Sequence, residues 1–128
     1  MLNNMETPEF NRRPEIADQK LKELLSILDS IKFKDFEEFD FDGVKFLLQI
    51  LPPSHLKKEE GGAWFSSSTY IEGIDIYIVK KQSPETRKRQ MFHEVVEARA
   101  QGMGFDQDTA HQYALEQEQK IFAQDIKE

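Results

Sequence analysis

The sequence contains no cysteine. Disulfides, thiolate metal sites and cysteine nucleophiles are excluded together, so any metal site must use nitrogen and oxygen ligands. Histidine is scarce as well. His55, His93 and His111 are the only three, and imidazole chemistry must draw on them. No apolar run approaches the roughly 20 residues needed to span a bilayer. The longest, Phe46–Leu51, is interrupted by Gln49 and stopped by Pro52 and Pro53. The segment Met1–Phe10 lacks a basic stretch followed by an apolar one, so no secretory signal is visible. Bases are outnumbered, 17 against 24 acids, for a formal net charge of −7. Such a chain repels phosphate, and the bases do not form a large cluster, which argues against nucleic acid as a partner. The expectation is a cytoplasmic protein without membrane or nucleic-acid contacts.

The chain has 128 residues, with ten phenylalanines among its core formers. That length suits one domain, able to bury roughly two thirds of its unfolded surface. Residues 1–13 are polar and without periodicity, and read as a flexible arm; residues 14–128 read as a single domain. Pro14 is placed to open a helix. Leu21, Leu24, Leu25, Leu28 and Ile31 follow Ile16 at helical spacing, so residues 15–31 are expected to form an amphipathic helix. The apolar–acidic alternation ending at Phe41 predicts a strand, Asp42–Gly43 a hairpin turn, and Val44–Leu51 a second strand. Ser54–Gly62 reads as an exposed loop carrying His55. Trp64–Ile71 and Ile74–Lys80 read as a further strand pair. Ser83 and Pro84 are suited to the N-cap and first position of a helix running to about Gln101, where Gly102 and Gly104 end it. Asp106 or Asp108 then caps a last helix reaching about Ile126. The fold class is α+β: a small antiparallel or mixed sheet with an N-terminal helix and two C-terminal helices.

One constellation carries chemistry. Within Phe92-His93-Glu94-Val95-Val96-Glu97, His93 and Glu97 are four apart and share a helix face, so they could grip one metal ion from adjacent turns. Glu94 lies beside them, within reach of a water on that metal. Thirteen residues separate Glu97 from His111, enough to end one helix, turn and enter an antiparallel neighbour. His111 could therefore approach the pair from the opposite helix. Two imidazoles and one carboxylate with an open fourth position suit catalytic zinc. A carboxylate as the second ligand in place of an imidazole also suits manganese or iron. Glu118 is a candidate second-layer partner for His111. The competing reading is a solvated charged helix face.

The stretch His93-Glu94-Val95-Val96-Glu97 with His111 resembles the zincin metallopeptidases, and among them the gluzincins. There, H-E-x-x-H supplies two imidazoles and a glutamate comes from the following helix; here the second and third ligands are exchanged. The strand pair before the helix also resembles the small zincin core, whose edge strand holds an extended substrate. The resemblance covers roughly residues 63–120. It implies His93, Glu97 and His111 as metal ligands, Glu94 as general base, and a peptide or protein substrate. Tyr70, Tyr77 and Tyr113 are candidate oxyanion helpers by residue type alone. The alternative is a catalytically inactive metal-binding or interaction module of the same fold.

Two further features stay open at this stage. The basic run Arg87-Lys88-Arg89 reads most simply as a solvated helix start, and otherwise as a contact for an acidic partner. Phe33, Phe36, Phe39, Phe41 and Phe46 read as core; exposed members would mark a partner surface, and the segment is buried either within the monomer or in a homo-oligomer.

Overall fold

Leu21, Leu24 and Leu28 recur at helical spacing, and all three are buried on one face of α1 (Asp18–Ser30). The computed structural model describes residues 13–52, 54, 62–80 and 83–126. After α1 come β1 (Glu37–Phe41), β2 (Val44–Leu51), β3 (Ala63–Ser67), β4 (Ile74–Val79), α2 (Pro84–Gly102) and α3 (Gln107–Ile126). The architecture is α+β, one helix, a four-stranded mixed sheet and two C-terminal helices. None of the described helices is long and apolar enough to cross a membrane. His55 and most of the loop expected around it lie outside the described residues, as do positions 1–12 of the expected arm.

α1 starts later than the position of Pro14 suggests. Ile16 is buried and donates its backbone N–H to the Tyr113 hydroxyl on α3 at 2.8 Å, and Ala17 keeps an extended ψ of 145°. That tie holds the chain out of helical geometry until Asp18. Arg13, expected in the arm, pairs with Glu116 on α3.

The turn at Asp42–Gly43 has positive φ at both residues, 53° and 79°. Such a two-residue connection matches the twist of its strands, and β1 pairs antiparallel with β2 from Phe41↔Val44 onward. The sheet order is β1-β2-β4-β3. β4 runs parallel to β2 and antiparallel to β3, so β1 and β3 are the two edges. The expected strand Trp64–Ile71 is shorter than its composition suggests. Ser68 accepts the backbone N–H groups of Tyr70 and Ile71 on its hydroxyl, folding the chain into a bend after Ser67.

Alternate residues of the strands turn Phe46, Leu48, Ile76 and Ile78 toward the helices. Met91, Phe92, Val95, Val96, Ala98 and Ala100 of α2 join them in one core. α2 packs on the sheet, α1 and α3 at once, which explains why it is buried on most sides from Met91 to Ala100 and why the polar side chains enclosed there, His93 and Glu97, are conspicuous. The phenylalanines divide: Phe41 and Phe46 are buried, Phe33 and Phe39 partly so, and Phe36 is exposed.

Candidate metal centre

Two local signals place the site. Ser83 caps α2, its hydroxyl accepting from Thr86 N–H at 3.2 Å with Pro84 at the first helical position. At the other end, Phe105 N–H bonds Ala100 C=O and Gly104 N–H bonds Gln101 C=O, with Gly104 at φ 103°. This is the Schellman arrangement, which needs a left-handed residue where glycine stands. Asp106 then accepts Thr109 N–H on its carboxylate at 2.8 Å and starts α3. The short reversal packs α3 against α2 and brings His111 opposite His93 and Glu97.

The three expected ligands converge. His93 Nε2 lies 3.1 Å from Glu97 Oε1 and 3.3 Å from His111 Nδ1, and His111 Nδ1 lies 3.1 Å from Glu97 Oε1. His93 and Glu97 are buried, while the His111 side chain is 47% exposed, so the cluster is reached from its side of α3.

Glu118 stands elsewhere than expected. It partners His93 rather than His111: its Oε1 accepts from His93 Nδ1 at 2.9 Å, and its other oxygen pairs with Arg89. His111 leans inward to Glu97, while Glu118 sits two turns further along α3, beside the outer nitrogen of the His93 ring. Arg89 belongs to the basic run expected to be solvated. Its neighbours are engaged too: Lys88 pairs with Asp29, and the Arg87 guanidinium lies 4.8 Å from the centre of the Phe33 ring.

Charge follows from these contacts. Burial raises the Glu97 and Glu118 carboxyls, but the hydrogen bonds from their histidines, and from Arg89 for Glu118, win and hold both below the usual range. Both are carboxylates at neutral pH. An ionised carboxylate only accepts, so His93 Nδ1 carries a proton toward Glu118. Its Nε2 then faces Glu97 and His111 with either a second proton or a lone pair. Burial draws the His93 pKa down, yet the hydrogen bonds to Glu118 and Glu97 and the charges of Glu94 and Glu118 raise it to about 9. Without a metal, a proton sits on Nε2.

The same triangle has the donor set and spacing that could hold a cation. Protons serve the edges to Glu97 but leave the nitrogen–nitrogen edge unmatched when both nitrogens donate to that oxygen. An ion in tetrahedral coordination, with bonds of about 2.0–2.1 Å, sets its ligand atoms about 3.3 Å apart, close to all three edges here. A carboxylate on the far nitrogen of a ligating histidine, itself tied down by an arginine, is the support such sites use to fix ring and tautomer.

Glu94 is half-buried on the same helix, and its carboxyl makes no hydrogen bond or ion pair with the described residues. Burial is the main cause pushing its pKa up to about 8; Glu97 and Glu118 add to the rise and His93 offsets part of it. The three tyrosines lie differently. Tyr113 accepts Ile16 N–H, Tyr77 donates to Asp75, and Tyr70 meets Phe36. None of these bonds reaches the cluster. Sequence reasoning missed Arg89 as a site residue, although its spacing of four from His93 places it on the same helix face.

Comparison with protein-family models, curated proteins and solved structures finds no match to this chain.

Proposed function

We propose that this protein is a metal-dependent hydrolase of zincin type acting on peptide bonds, with His93, Glu97 and His111 holding one divalent ion, zinc first and manganese or iron as alternatives. The observation that carries the reading is the triangle of His93 Nε2, Glu97 Oε1 and His111 Nδ1, with edges of 3.1 to 3.3 Å. The order edge strand, inner strand, helix with His93 and Glu94 supports it as well.

When bound, such an ion polarises the scissile carbonyl, lowers the pKa of water in the site toward about 7 and draws Glu94 toward its carboxylate form. Glu118 and Arg89 keep the His93 ring oriented, with its lone pair directed inward. Among the described residues, Glu94 is a carboxyl next to the ligand helix positions that no hydrogen bond or ion pair engages. It takes the proton of the attacking water and returns it to the leaving amine, so its charge is restored at the end of the cycle.

Untagged protein, dialysed against zinc, manganese or iron(II) and measured by elemental analysis, is expected to hold one equivalent of metal. His111→Ala should lose it. Glu94→Gln should keep the metal and lose cleavage of a quenched fluorescent peptide library. Absence of stoichiometric metal overturns the site; equal turnover by wild type and Glu94→Gln overturns the catalytic assignment.

A further inference from the structure

β1 is an edge of the sheet, paired with β2 on one side and open on the other. Alternate residues of such a strand turn their backbone N–H and C=O groups outward, where a further strand can pair with them. The chain leading into this edge is held in an unusual shape. Phe33 and Phe36 have φ of 57° and 62°, a region that bulky side chains enter only at a cost. The segment is pinned from within. The Glu37 carboxylate accepts the backbone N–H groups of Lys32 and Lys34 at 3.0 and 3.1 Å, and Asp35 accepts that of Ile50 at 2.9 Å.

The two strained residues differ in what their rings gain. Phe33 packs against the core and carries the Arg87 guanidinium on its ring. Phe36 is 53% exposed. Its ring meets Tyr70 edge-on at 5.6 Å, and Tyr70 is itself 64% exposed. These two are the exposed large apolar residues of the described chain. A costly backbone that presents an aromatic pair to water, beside an open edge, points to contact with a partner rather than to the packing of the fold.

Charge then selects the partner. β1 carries three acids, Glu37, Glu38 and Asp40, and no base. Glu38 and Asp40 alternate with Phe39 and Phe41, which join the core, so both acids project from the outer face of the sheet, away from the helices. Asp40 pairs across the hairpin with Lys45 at 3.3 Å. Glu38 is exposed and forms no ion pair among the described residues, as is Glu72 in the connection that carries Tyr70. Like charges opposed across a strand pair destabilise it, and opposite charges support it. A second copy of β1 would set acids against acids. A strand with Lys or Arg at alternate positions meets Glu38 and Asp40 on one face. Its other residues fall beside Phe39, which is half-buried, so apolar side chains suit them. A basic side chain reaching Phe36 or Tyr70 also gains the attraction of a cation for an aromatic ring.

We propose that β1 is a docking strand for an extended basic segment of a partner protein, in which Lys or Arg alternate with apolar residues. Backbone pairing along β1 holds the segment, and Phe36 and Tyr70 grip its end. β1 lies at the opposite edge of the sheet from β3, and the inference stands apart from the metal reading.

The test adds a short labelled peptide of alternating lysine and valine to the full-length protein in chelator, followed by fluorescence anisotropy. Saturable binding is expected, with slowed amide hydrogen exchange in β1 and not in β3. A glutamate–valine peptide, and a lysine–glycine peptide of the same charge but low strand propensity, should not bind. Glu38→Lys should weaken binding about three- to tenfold. Phe36→Gly, which relieves the positive φ, should melt no lower than wild type and lose about tenfold in affinity. Absence of saturable binding overturns the proposal. Equal binding of the lysine–glycine peptide overturns it too, because attraction to an acidic chain then suffices. Exchange protection confined to β3 does the same, as does a Phe36→Gly variant that melts lower and binds like wild type, which leaves the ring a purely structural role. Dimerisation without any response to the peptide overturns it in favour of a second copy.

Discussion

The metal-free protein should lose stability steadily as pH rises from 5 to 9, while the stabilisation given by zinc should grow over the same range. In the absence of metal, His93 titrates at about 9 instead of 6.5, and Glu94 at about 8 instead of 4.5. Both groups hold their proton more tightly in the folded protein than in the unfolded chain. Stability then falls with rising pH wherever either group changes state. The His93 contribution is complete below pH 6.5 and gone above about 9, and that difference of about 2.5 units is worth about 3 kcal/mol at 1.36 kcal/mol per unit. Ionising Glu94 between 4.5 and about 8 acts in the same direction. The two groups interact, so their effects do not simply add. Glu97 and Glu118, held low, withdraw their support only as pH drops below the usual carboxylate range, outside this window. Zinc opposes the trend because it must displace the proton from His93 Nε2. Its affinity should rise about tenfold per pH unit up to about 9, adding about 1.4 kcal/mol of stabilisation per unit. Urea unfolding at pH 5, 6, 7, 8 and 9, in chelator and in zinc, measures both slopes. A metal-free stability that is flat or rising over this range refutes the doubly hydrogen-bonded, protonated His93. A zinc effect independent of pH refutes Nε2 as a ligand.

Glu118→Ala removes the acceptor of His93 Nδ1–H and leaves Arg89 without its carboxylate; zinc affinity by calorimetry should fall about 10- to 100-fold, as for other supports of a ligating histidine. Gly73→Ala places a Cβ 2.1 Å from the backbone oxygen of Lys45, so the β3–β4 connection must shift, and the melting temperature should drop by several degrees, as for a loss of about 1–3 kcal/mol. Ser83→Ala deletes the N-cap of α2 and should cost about 1 kcal/mol in urea unfolding. The zinc stoichiometry of that variant is expected to remain one, because the cap lies at the far end of the helix from Glu97.

What could be read from sequence and what could not divides along the range of the interactions. His93 and Glu97 share a face because four residues make about one helical turn, whatever the rest of the molecule does. The Gly104 reversal and the Asp106 cap are equally local, so the arrival of His111 opposite them followed from spacing alone. The hairpin at Asp42–Gly43 belongs to the same category, since its two positive φ angles are a property of the turn. The parallel pairing of β2 with β4 does not. No neighbouring residues encode it, and a strand inserted between β2 and β3 emerges only from the packing of the whole sheet. Side-chain choice is harder again. Glu118 was identifiable as an acid on α3, but whether it turns to His111 or His93 depends on rotamers and on the pull of Arg89. The outer face shows the limit most clearly. Alternation assigns Asp75 and Gln49 to a polar face, and they do occupy it. Their burial there contradicts the solvated surface that alternation implies. A polar residue on the expected face but buried there is a local rule kept and a global one broken.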